Sequence, residues 1–360
     1  MPPLRNLQTL RLAAHAEVSK MGYTISAPPH IKSSKSFRSI NMAKILALIP
    51  LSLVSVYFFG IPALGIILAS VLAAVLTEYG IQMITKQKVT IKDGHAAMIG
   101  LMFALLMPPE APLWIPVVGA FFAIAIGKHA FGGIGSYIFN PVLVAWVFVR
   151  SAWGSYTTLT SIPHMGQLSD LVLENGAGLL VDVSPILLIG GVYLIYKKYI
   201  EWRVPLVFAL TVFFFNQAIA FFSSVISLVQ EGVLNPLMYL ATMFIFLKVT
   251  DELSYVMIGV VFFGILFLAT DSPTSPVTKN GRLIYGLACG ILVSIYGYFG
   301  NYVDGTLYGI FLANAIAAYI ETKTLPAMYG HESMLERSYR RVMKKIPSSL
   351  KFEVVSDDRV

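Results

Sequence analysis

The chain has 360 residues, of which 56% are hydrophobic and only 12% are charged, and its mean hydropathy is +0.73. A soluble domain carries about 25% charged residues, so this composition excludes an ordinary soluble protein, and also an intrinsically disordered one. The net charge of +7 lies at the ends: residues 1–40 carry +5, residues 331–360 carry +2, and residues 41–330 are neutral. A neutral apolar middle between basic ends predicts a polytopic membrane protein and no nucleic-acid partner.

The two basic ends differ from the middle in composition. Residues 1–40 hold no long apolar run, so they do not resemble a signal peptide. Met21 opens a second candidate start, and we interpret residues 1–20 as an extension ahead of it. In the tail, 331–360, the stretch 333–351 is interpreted either as an amphipathic helix on anionic lipid or as a solvated segment.

A helix needs about 20 apolar residues to cross the roughly 30 Å hydrocarbon core of a bilayer. The sequence predicts ten apolar segments, some of them shorter than that length. In chain order they are 42–59, 61–84, 96–107, 113–127, 141–149, 184–196, 204–226, 257–269, 283–298 and 307–320. An eleventh run, 236–247, is interpreted as re-entrant or interfacial, because counting it as a span would put the basic tail on the side opposite the N-terminus.

Lysine and arginine in short loops mark the cytoplasmic side of a membrane protein. They cluster at three turns, which contain Lys86, Lys88 and Lys92, then Lys128, and then Lys197, Lys198 and Arg203. With ten spans and the N-terminus inside, these turns and the tail are all cytoplasmic. The segment 151–182 has three acids and no lysine or arginine, and it falls outside. It separates a first membrane repeat, 41–150, from a second, 183–330.

Each membrane repeat shows the same order of features. The runs IGLMFALLMPPEAP (99–112) and IGVVFFGILFLATDSPTSP (258–276) begin with Ile-Gly, stay apolar and break at prolines. A longer apolar run, a glycine-bearing loop and another helix follow in each half. Two copies with five spans each must lie in the membrane with opposite topology. The predicted fold is therefore all-α, with about ten transmembrane helices in two inverted five-helix repeats that contain broken helices.

Broken helices leave backbone N–H and C=O groups unpaired, which a membrane tolerates only inside protein or beside a cavity. The breaks therefore predict a central path or ligand site, although simple helix kinks remain the alternative. On these features alone, the inverted repeat predicts only a substrate path, as in a stand-alone channel or transporter.

Two motifs carry a resemblance to a known family. KHAFGGIGSYIFNP (128–141) contains the pattern GG-x-G-x(3)-FNP, and ATDSPTSPVTKNGRLIYG (269–286) contains TD-x(4)-P-x-T-x(2)-GR-x-I-x-G. With SAPPH (26–30), FLAN (311–314) and MYGH (328–331) in this order, the chain resembles the RnfD family. RnfD is a membrane component of the Rnf complex and is related to NqrB of the sodium-pumping NADH:quinone oxidoreductase.

The resemblance implies a function for the whole assembly. Rnf complexes pass electrons from reduced ferredoxin to NAD or another acceptor and drive Na⁺ or H⁺ out of the cell. The implied partners are the other Rnf subunits, the implied location is the cell membrane with both termini cytoplasmic, and the chain is an enzyme only as part of the complex. A flavin-less scaffold subunit is the alternative within the same family.

The resemblance also implies FMN esterified to a threonine on the outer side. The outer segment here, RSAWGSYTTLTSIPHMGQL (150–168), offers Thr160 as the first candidate and Thr158 as the second. It lacks the acid and the small-Thr-Pro triplet of the family's attachment pattern, so a plain Ser/Thr-rich loop is the alternative.

A noncovalent flavin is a further interpretation. It needs an apolar slot with a few placed hydrogen bonds. The first half offers Gly132 and Gly133 for close backbone approach, Phe139 for the slot and Asn140 as donor and acceptor. The second half offers the polar residues Asp271, Ser275 and Thr278, with Lys279 and Arg282 either pairing a phosphate or lying in a solvated loop.

Three further polar residues lie in or beside apolar runs. Glu78 lies eight residues before Lys86, so it is interpreted as a helix-end residue that reaches water or a partner subunit, with an ion ligand as the alternative. Lys128 is expected to extend to the membrane interface. His95 is isolated in the sequence, and no residues with metal-ligand spacing predict a metal site.

Overall fold

The computed structural model describes residues 36–157, 179–181, 184–230 and 259–326. These residues form ten α-helices and no strand. The helices are α1 (Phe37–Phe59), α2 (Ile61–Ile84), α3 (His95–Leu105), α4 (Trp114–Phe122), α5 (Pro141–Ala152), α6 (Ser184–Tyr196), α7 (Arg203–Gln230), α8 (Gly259–Phe263), α9 (Lys279–Phe299) and α10 (Tyr302–Thr324). The π-helical turns Ala123–His129 and Gly264–Leu268 continue α4 and α8, and the 3₁₀ turns Ile91–Asp93 and Gly154–Tyr156 precede α3 and follow α5.

The ten predicted segments coincide with the ten helices of the described residues, with different ends. α1 begins five residues before the predicted segment because the Ser36 side chain accepts a hydrogen bond from the Ser39 N–H, at 3.1 Å, and caps a polar first turn. α10 begins at Tyr302 because the Asn301 side chain accepts from the Asp304 N–H, at 2.7 Å. Predictions on residues 1–35, 158–178, 236–247 and 333–351 lie outside the described residues.

Among the described residues, four helices are long and apolar enough to cross a membrane, namely α1, α2, α9 and α10. α3, α4, α5, α6 and α8 are shorter, with 13 residues or fewer. α3, with 11 residues, is about 16 Å long at 1.5 Å per residue, which is roughly half of the hydrocarbon core. It ends just before Pro108, and the turn that continues α8 ends before Pro273, as the sequence predicts.

Glycines set the close packing of α7, α9 and α10. A Cβ at Gly286 would meet Val204 and Val207 of α7, and one at Gly290 would meet Thr211, so α7 and α9 run in the same direction. In α10, Gly309 lies against Val293 of α9 and Gly305 lies against Gly297, so α9 and α10 are antiparallel. These backbones approach closely because small residues line the contact, as is common between membrane helices.

Candidate functional site

The two halves of the chain meet at a polar junction between the loop before α5 and the turn after α8. The Tyr137 hydroxyl donates to Asp271 Oδ2 at 3.0 Å, and Asn140 Nδ2 donates to the carbonyl of Leu268 at 3.3 Å. Phe139 stacks on Phe311 of α10, with ring centroids 4.4 Å apart. The glycine-bearing loop of the first half is therefore hydrogen-bonded to the proline break of the second half.

An ion pair joins α1 to this junction. Lys44 Nζ lies 3.4 Å from Asp271 Oδ1, and both side chains are buried. Tyr137 links the pair onward, because its hydroxyl lies 3.3 Å from Nε2 of His95, which is also buried. Buried charges are costly unless paired and hydrogen-bonded, so Lys44 and Asp271 depend on each other.

A second ion pair joins α2 to the π-helical end of α4. Lys128 Nζ lies 2.7 Å from Glu78 Oε1, and the two side chains are 1% and 0% exposed. Gln82 Nε2 donates to the same oxygen at 2.9 Å, and Gln82 also bonds the hydroxyl and N–H of Thr90. The other oxygen, Glu78 Oε2, is buried without a hydrogen-bond partner.

The second pair corrects two interpretations of the sequence. Glu78 does not reach water at the helix end, and Lys128 does not extend to the interface. The physical reason is that the helical segment ending at His129 packs against α2 and closes both side chains off, while the Gln82 amide supplies a further hydrogen bond. The carboxylate and the ammonium therefore compensate for each other's burial.

The turn between α2 and α3 is hydrogen-bonded to α1 through Asp93 and to Glu78 through the Thr90 hydroxyl. Asp93 Oδ1 accepts from the His95 N–H at 2.8 Å, and Asn41 of α1 donates to the Asp93 carbonyl at 3.2 Å. Burial raises the pKa of the Asp93 carboxyl, while the bond from His95 and the charge of Lys128 oppose that change. His95 therefore links the turn, through its N–H, to the Tyr137 hydroxyl of the junction, through its ring.

The structure brings some of the predicted site residues together. Asp271, Phe139 and Asn140 all lie at the junction of the halves. Asn140 uses its amide oxygen to cap α5 through the Val142 N–H, at 2.9 Å, and its NH₂ group bonds Leu268. Both ends of this amide are thus engaged by the protein itself.

Other predicted site residues lie apart from the junction or have structural partners. Gly132 and Gly133 form an exposed to half-buried turn after Lys128, with φ of 102° and 92° that favour glycine. Thr278 caps α9 through the Gly281 N–H, at 3.1 Å, and its hydroxyl lies 2.5 Å from that of Thr324. The Ser275 N–H donates to the Asp271 carbonyl within the turn, at 3.1 Å.

The structure describes both candidate phosphate ligands but neither candidate attachment residue. Arg282 pairs with Glu201 at 2.5 Å and donates to the Pro276 carbonyl, so its cation is already compensated. Lys279 is exposed at the start of α9. Thr158 and Thr160 lie outside the described residues.

Sequence reasoning missed Lys44, which lies inside the apolar segment 42–59. A charged residue in a predicted span is itself a signal of function, so the sequence did contain a signal for Lys44. His95 and Lys128 were noted but assigned no buried partner, because their partners lie 42 and 50 residues away. Among residues 36–157, 179–181, 184–230 and 259–326, no group of three or more His, Cys, Asp or Glu could hold a metal ion.

Apolar helices that enclose two buried ion pairs define a membrane protein with a polar interior. Ionisable groups in such positions are typical of ion-coupling membrane proteins. A model of the NQR2, RnfD, RnfE family matches residues 24–330, and the chain belongs to this family.

Relatives extend over nearly the same residues. The chain is 47% identical over 310 residues to the D component of the ion-translocating oxidoreductase complex of Methanosarcina acetivorans, covering 86% of this chain and 97% of the relative. It is 33% identical to the D component of the Na⁺-translocating ferredoxin:NAD⁺ oxidoreductase complex of Acetobacterium woodii, covering 87% and 97%. It is 31% identical to the D component of the proton-translocating ferredoxin:NAD⁺ oxidoreductase complex of Clostridium ljungdahlii, covering 88% and 99%. The family predicted from the two motifs is confirmed.

Proposed function

We propose that this chain is the membrane subunit of an Rnf-type complex that couples electron transfer from reduced ferredoxin to Na⁺ or H⁺ translocation. The acceptor is NAD or a membrane carrier, and the other Rnf subunits are the partners. Relatives with these activities in their names support the assignment. The observation that carries the coupling role is the enclosure of Glu78–Lys128 and Lys44–Asp271 within the helix bundle. Ionisable side chains inside a membrane protein mark ion pathways and proton relays.

The proposal includes an inverted repeat of five plus five spans in the cell membrane, with both termini cytoplasmic. Both halves contain two helices, a short helix with a proline break, and two further helices, which supports the repeat. Ion pairs support the sidedness, because each pair joins helix ends that are assigned to the same side of the membrane. Lys44–Asp271 and Glu78–Lys128 join inner ends, and Arg150–Asp304 joins outer ends.

Inverted membrane vesicles test the coupling. Vesicles that hold the intact complex should take up Na⁺ or H⁺ when reduced ferredoxin and the acceptor are added, and vesicles from cells lacking this subunit should not. Uptake measured with and without a sodium or proton ionophore identifies the ion. A subunit that moves an ion without ferredoxin, acceptor or the other subunits would support a stand-alone transporter instead and would contradict this proposal.

The proposal assigns a covalent FMN to the outer segment, at Thr160 or Thr158. Both threonines carry the hydroxyl that an ester bond needs. They follow Thr157, the last described residue of the turn after α5, by one and three residues in the sequence. Bound FMN supplies electron transfer in one- or two-electron steps. At the junction, by contrast, Phe139 is stacked on Phe311 and Asn140 is engaged at both ends, so these residues do not fit a flavin in the described conformation.

Fluorescence of the denatured subunit tests the attachment. We expect a flavin band on a denaturing gel that is lost in Thr160→Ala and retained in the neighbouring Ser161→Ala. The mass of the intact subunit gives the same answer independently, because an esterified FMN adds its mass and Thr160→Ala removes it. A band that survives Thr160→Ala but not Thr158→Ala would move the assignment to Thr158. The absence of any covalent flavin in the wild-type subunit would contradict the assignment and support the scaffold alternative.

A further inference from the structure

His95 has an unpaired ring nitrogen inside the protein. The residue is 1% exposed, and its Nδ1 atom is buried without a hydrogen-bond partner among the described residues. A histidine that only supports the fold is expected to have both ring nitrogens hydrogen-bonded, because an unpaired buried polar atom is costly. The Nδ1 atom therefore marks a binding position. A proton is the ligand that fits it, since the part of the chain that the structure describes contains no group of three metal ligands.

The hydrogen bonds that lead away from His95 all point in one direction. The Tyr137 hydroxyl donates to Asp271 Oδ2 at 3.0 Å, so its oxygen accepts on the side of His95 Nε2, which lies 3.3 Å away. Nε2 therefore carries the ring proton, and Nδ1 presents a lone pair. In the resulting chain, His95–Tyr137–Asp271, each donor points toward the carboxylate. Such a chain passes a proton along by short transfers between neighbouring atoms.

Helix α1 shows how far this chain of hydrogen bonds extends into the protein. Phe37, the first residue of α1, contacts His95 with 5.4 Å between ring centroids, whereas Lys44 of the same helix lies 3.4 Å from Asp271. Phe37 and Lys44 are seven residues apart, which is nearly two helical turns, so they lie on one face of α1 about 10 Å from each other along its axis. The chain therefore extends over roughly a third of the 30 Å hydrocarbon core.

The two ends of the chain of hydrogen bonds differ in their access to solvent. Phe37 is 37% exposed and contacts the His95 ring, so one partly exposed ring lies between solvent and this histidine. At the other end, Tyr137, Asp271 and Lys44 are all buried. The chain therefore connects a position near the protein surface with an enclosed ion pair.

The charges around His95 favour transfer of a proton to Asp271 over its storage on the imidazole. Lys44 and Lys128 both repel a positive charge on the ring. Asp93 accepts from the His95 backbone N–H at 2.8 Å, so its hydrogen bond goes to the main chain and not to the ring. Asp271, in contrast, is a carboxylate that accepts the last hydrogen bond of the chain. It is the natural end point for the proton.

We propose that His95 and Tyr137 form a proton relay to Asp271. A proton binds His95 Nδ1, the Nε2 proton moves to the Tyr137 oxygen, and the Tyr137 proton moves to Asp271 Oδ2. One proton enters and one is held on the carboxyl, while the imidazole and the phenol both end neutral. Lys44 then loses its counter-charge, which loosens the contact between the two halves of the chain. This inference rests on the proposed function, to which it adds the residues that carry a proton to the junction.

Chemical rescue with imidazole tests the relay in the solubilised complex, where the rate of ferredoxin oxidation by the acceptor is measured. His95→Ala removes the proton-accepting ring and should lower this rate about tenfold or more. Free imidazole in the buffer should restore most of the rate, because it fits the vacated space and supplies the missing base. His95→Gln fills the same space with an amide that does not take up a proton. It should be equally slow and should not respond to imidazole.

Two further variants locate the interruption and control for the loss of a histidine. Tyr137→Phe should also be slow, but imidazole should not rescue it, because the break lies beyond the position that imidazole fills. His129→Ala is the matched control. His129 is half-buried, and its Nε2 atom is also buried without a hydrogen-bond partner among the described residues, but it lies outside the chain of hydrogen bonds. His129→Ala should keep the wild-type rate with and without imidazole.

The yield and the thermal unfolding midpoint of each complex are measured in parallel. If His95→Gln is obtained in normal yield and works at the wild-type rate, the relay is overturned while the proposed function stands. A slow His95→Ala that imidazole does not rescue indicates a structural role for the ring and overturns the relay as well. If the wild-type complex does not oxidise ferredoxin, the proposed function fails first, and the relay fails with it. Should His95→Ala yield no complex, the relay requires that His95→Gln and Tyr137→Phe both be slow at a near-normal midpoint.

Discussion

Glu78→Gln should reduce ferredoxin-driven ion uptake by inverted vesicles about tenfold or more. The substitution keeps the shape of the side chain but removes its charge, which leaves the Lys128 ammonium buried without a counter-charge. Breaking a buried pair from one side costs about 3–5 kcal/mol, so the packing around Lys128 is expected to rearrange. Uptake is measured at equal amounts of assembled complex.

A second variant separates charge from stability. Combining Glu78→Gln with Lys128→Met removes both charges and should restore the yield of folded complex without restoring ion uptake. Glu321→Gln, at a half-buried position near the end of α10, is the control and should retain uptake. Full uptake in the double variant would mean that the pair has only a structural role, and it would contradict the coupling role proposed for it.

Asp271→Asn should lower the thermal unfolding midpoint of the detergent-solubilised subunit by about 10 °C. The carboxylate holds Lys44 of α1 and accepts from Tyr137, so its loss leaves a buried ammonium unpaired and loosens the contact between the halves. Tyr137→Phe removes a single hydrogen bond to a charged group, which is worth about 1.5–3 kcal/mol, and should have a smaller effect. Intrinsic fluorescence or circular dichroism during heating provides the measurement.

The outer ion pair is the matched control for the inner one. Asp304 pairs with Arg150 at 2.8 Å but is partly exposed, and exposed pairs contribute about 0–1 kcal/mol. Asp304→Asn should therefore shift the midpoint by only a few degrees. The double variant Lys44→Met with Asp271→Leu should recover most of the loss seen in Asp271→Asn. Equal shifts in Asp271→Asn and Asp304→Asn would contradict the role given to burial.

Helix positions could be predicted from the sequence, because crossing a bilayer requires apolar runs that composition alone exposes. Helix ends were predicted less accurately than helix positions. The start of α1 depends on a cap at Ser36, which lies outside the apolar run, and the start of α10 depends on one at Asn301. Caps act through local hydrogen bonds that hydropathy does not detect.

The candidate site could be predicted only in part. Asp271 and Asn140 were selected from motifs, and both do lie at the junction of the halves. The engagement of Asn140 by Val142 and Leu268 was not foreseen, since one partner lies 128 residues away. Glu78 attracted attention as a charge in an apolar run, but its apparent nearness to the helix end suggested water rather than Lys128.

The sequence alone determined the class of protein, the order of its helices and its family, because these depend on composition, apolar length and local motifs. Only the tertiary structure decided which charges are paired. Lys44 meets Asp271 across 227 residues and Glu78 meets Lys128 across 50, and neither separation follows from any periodicity. The physical reason is that a buried charge must find a counter-charge wherever packing provides one, and packing is a property of the whole fold. The net charge of the sequence lies at its basic ends, whereas four charges of the neutral middle cancel one another in two buried pairs.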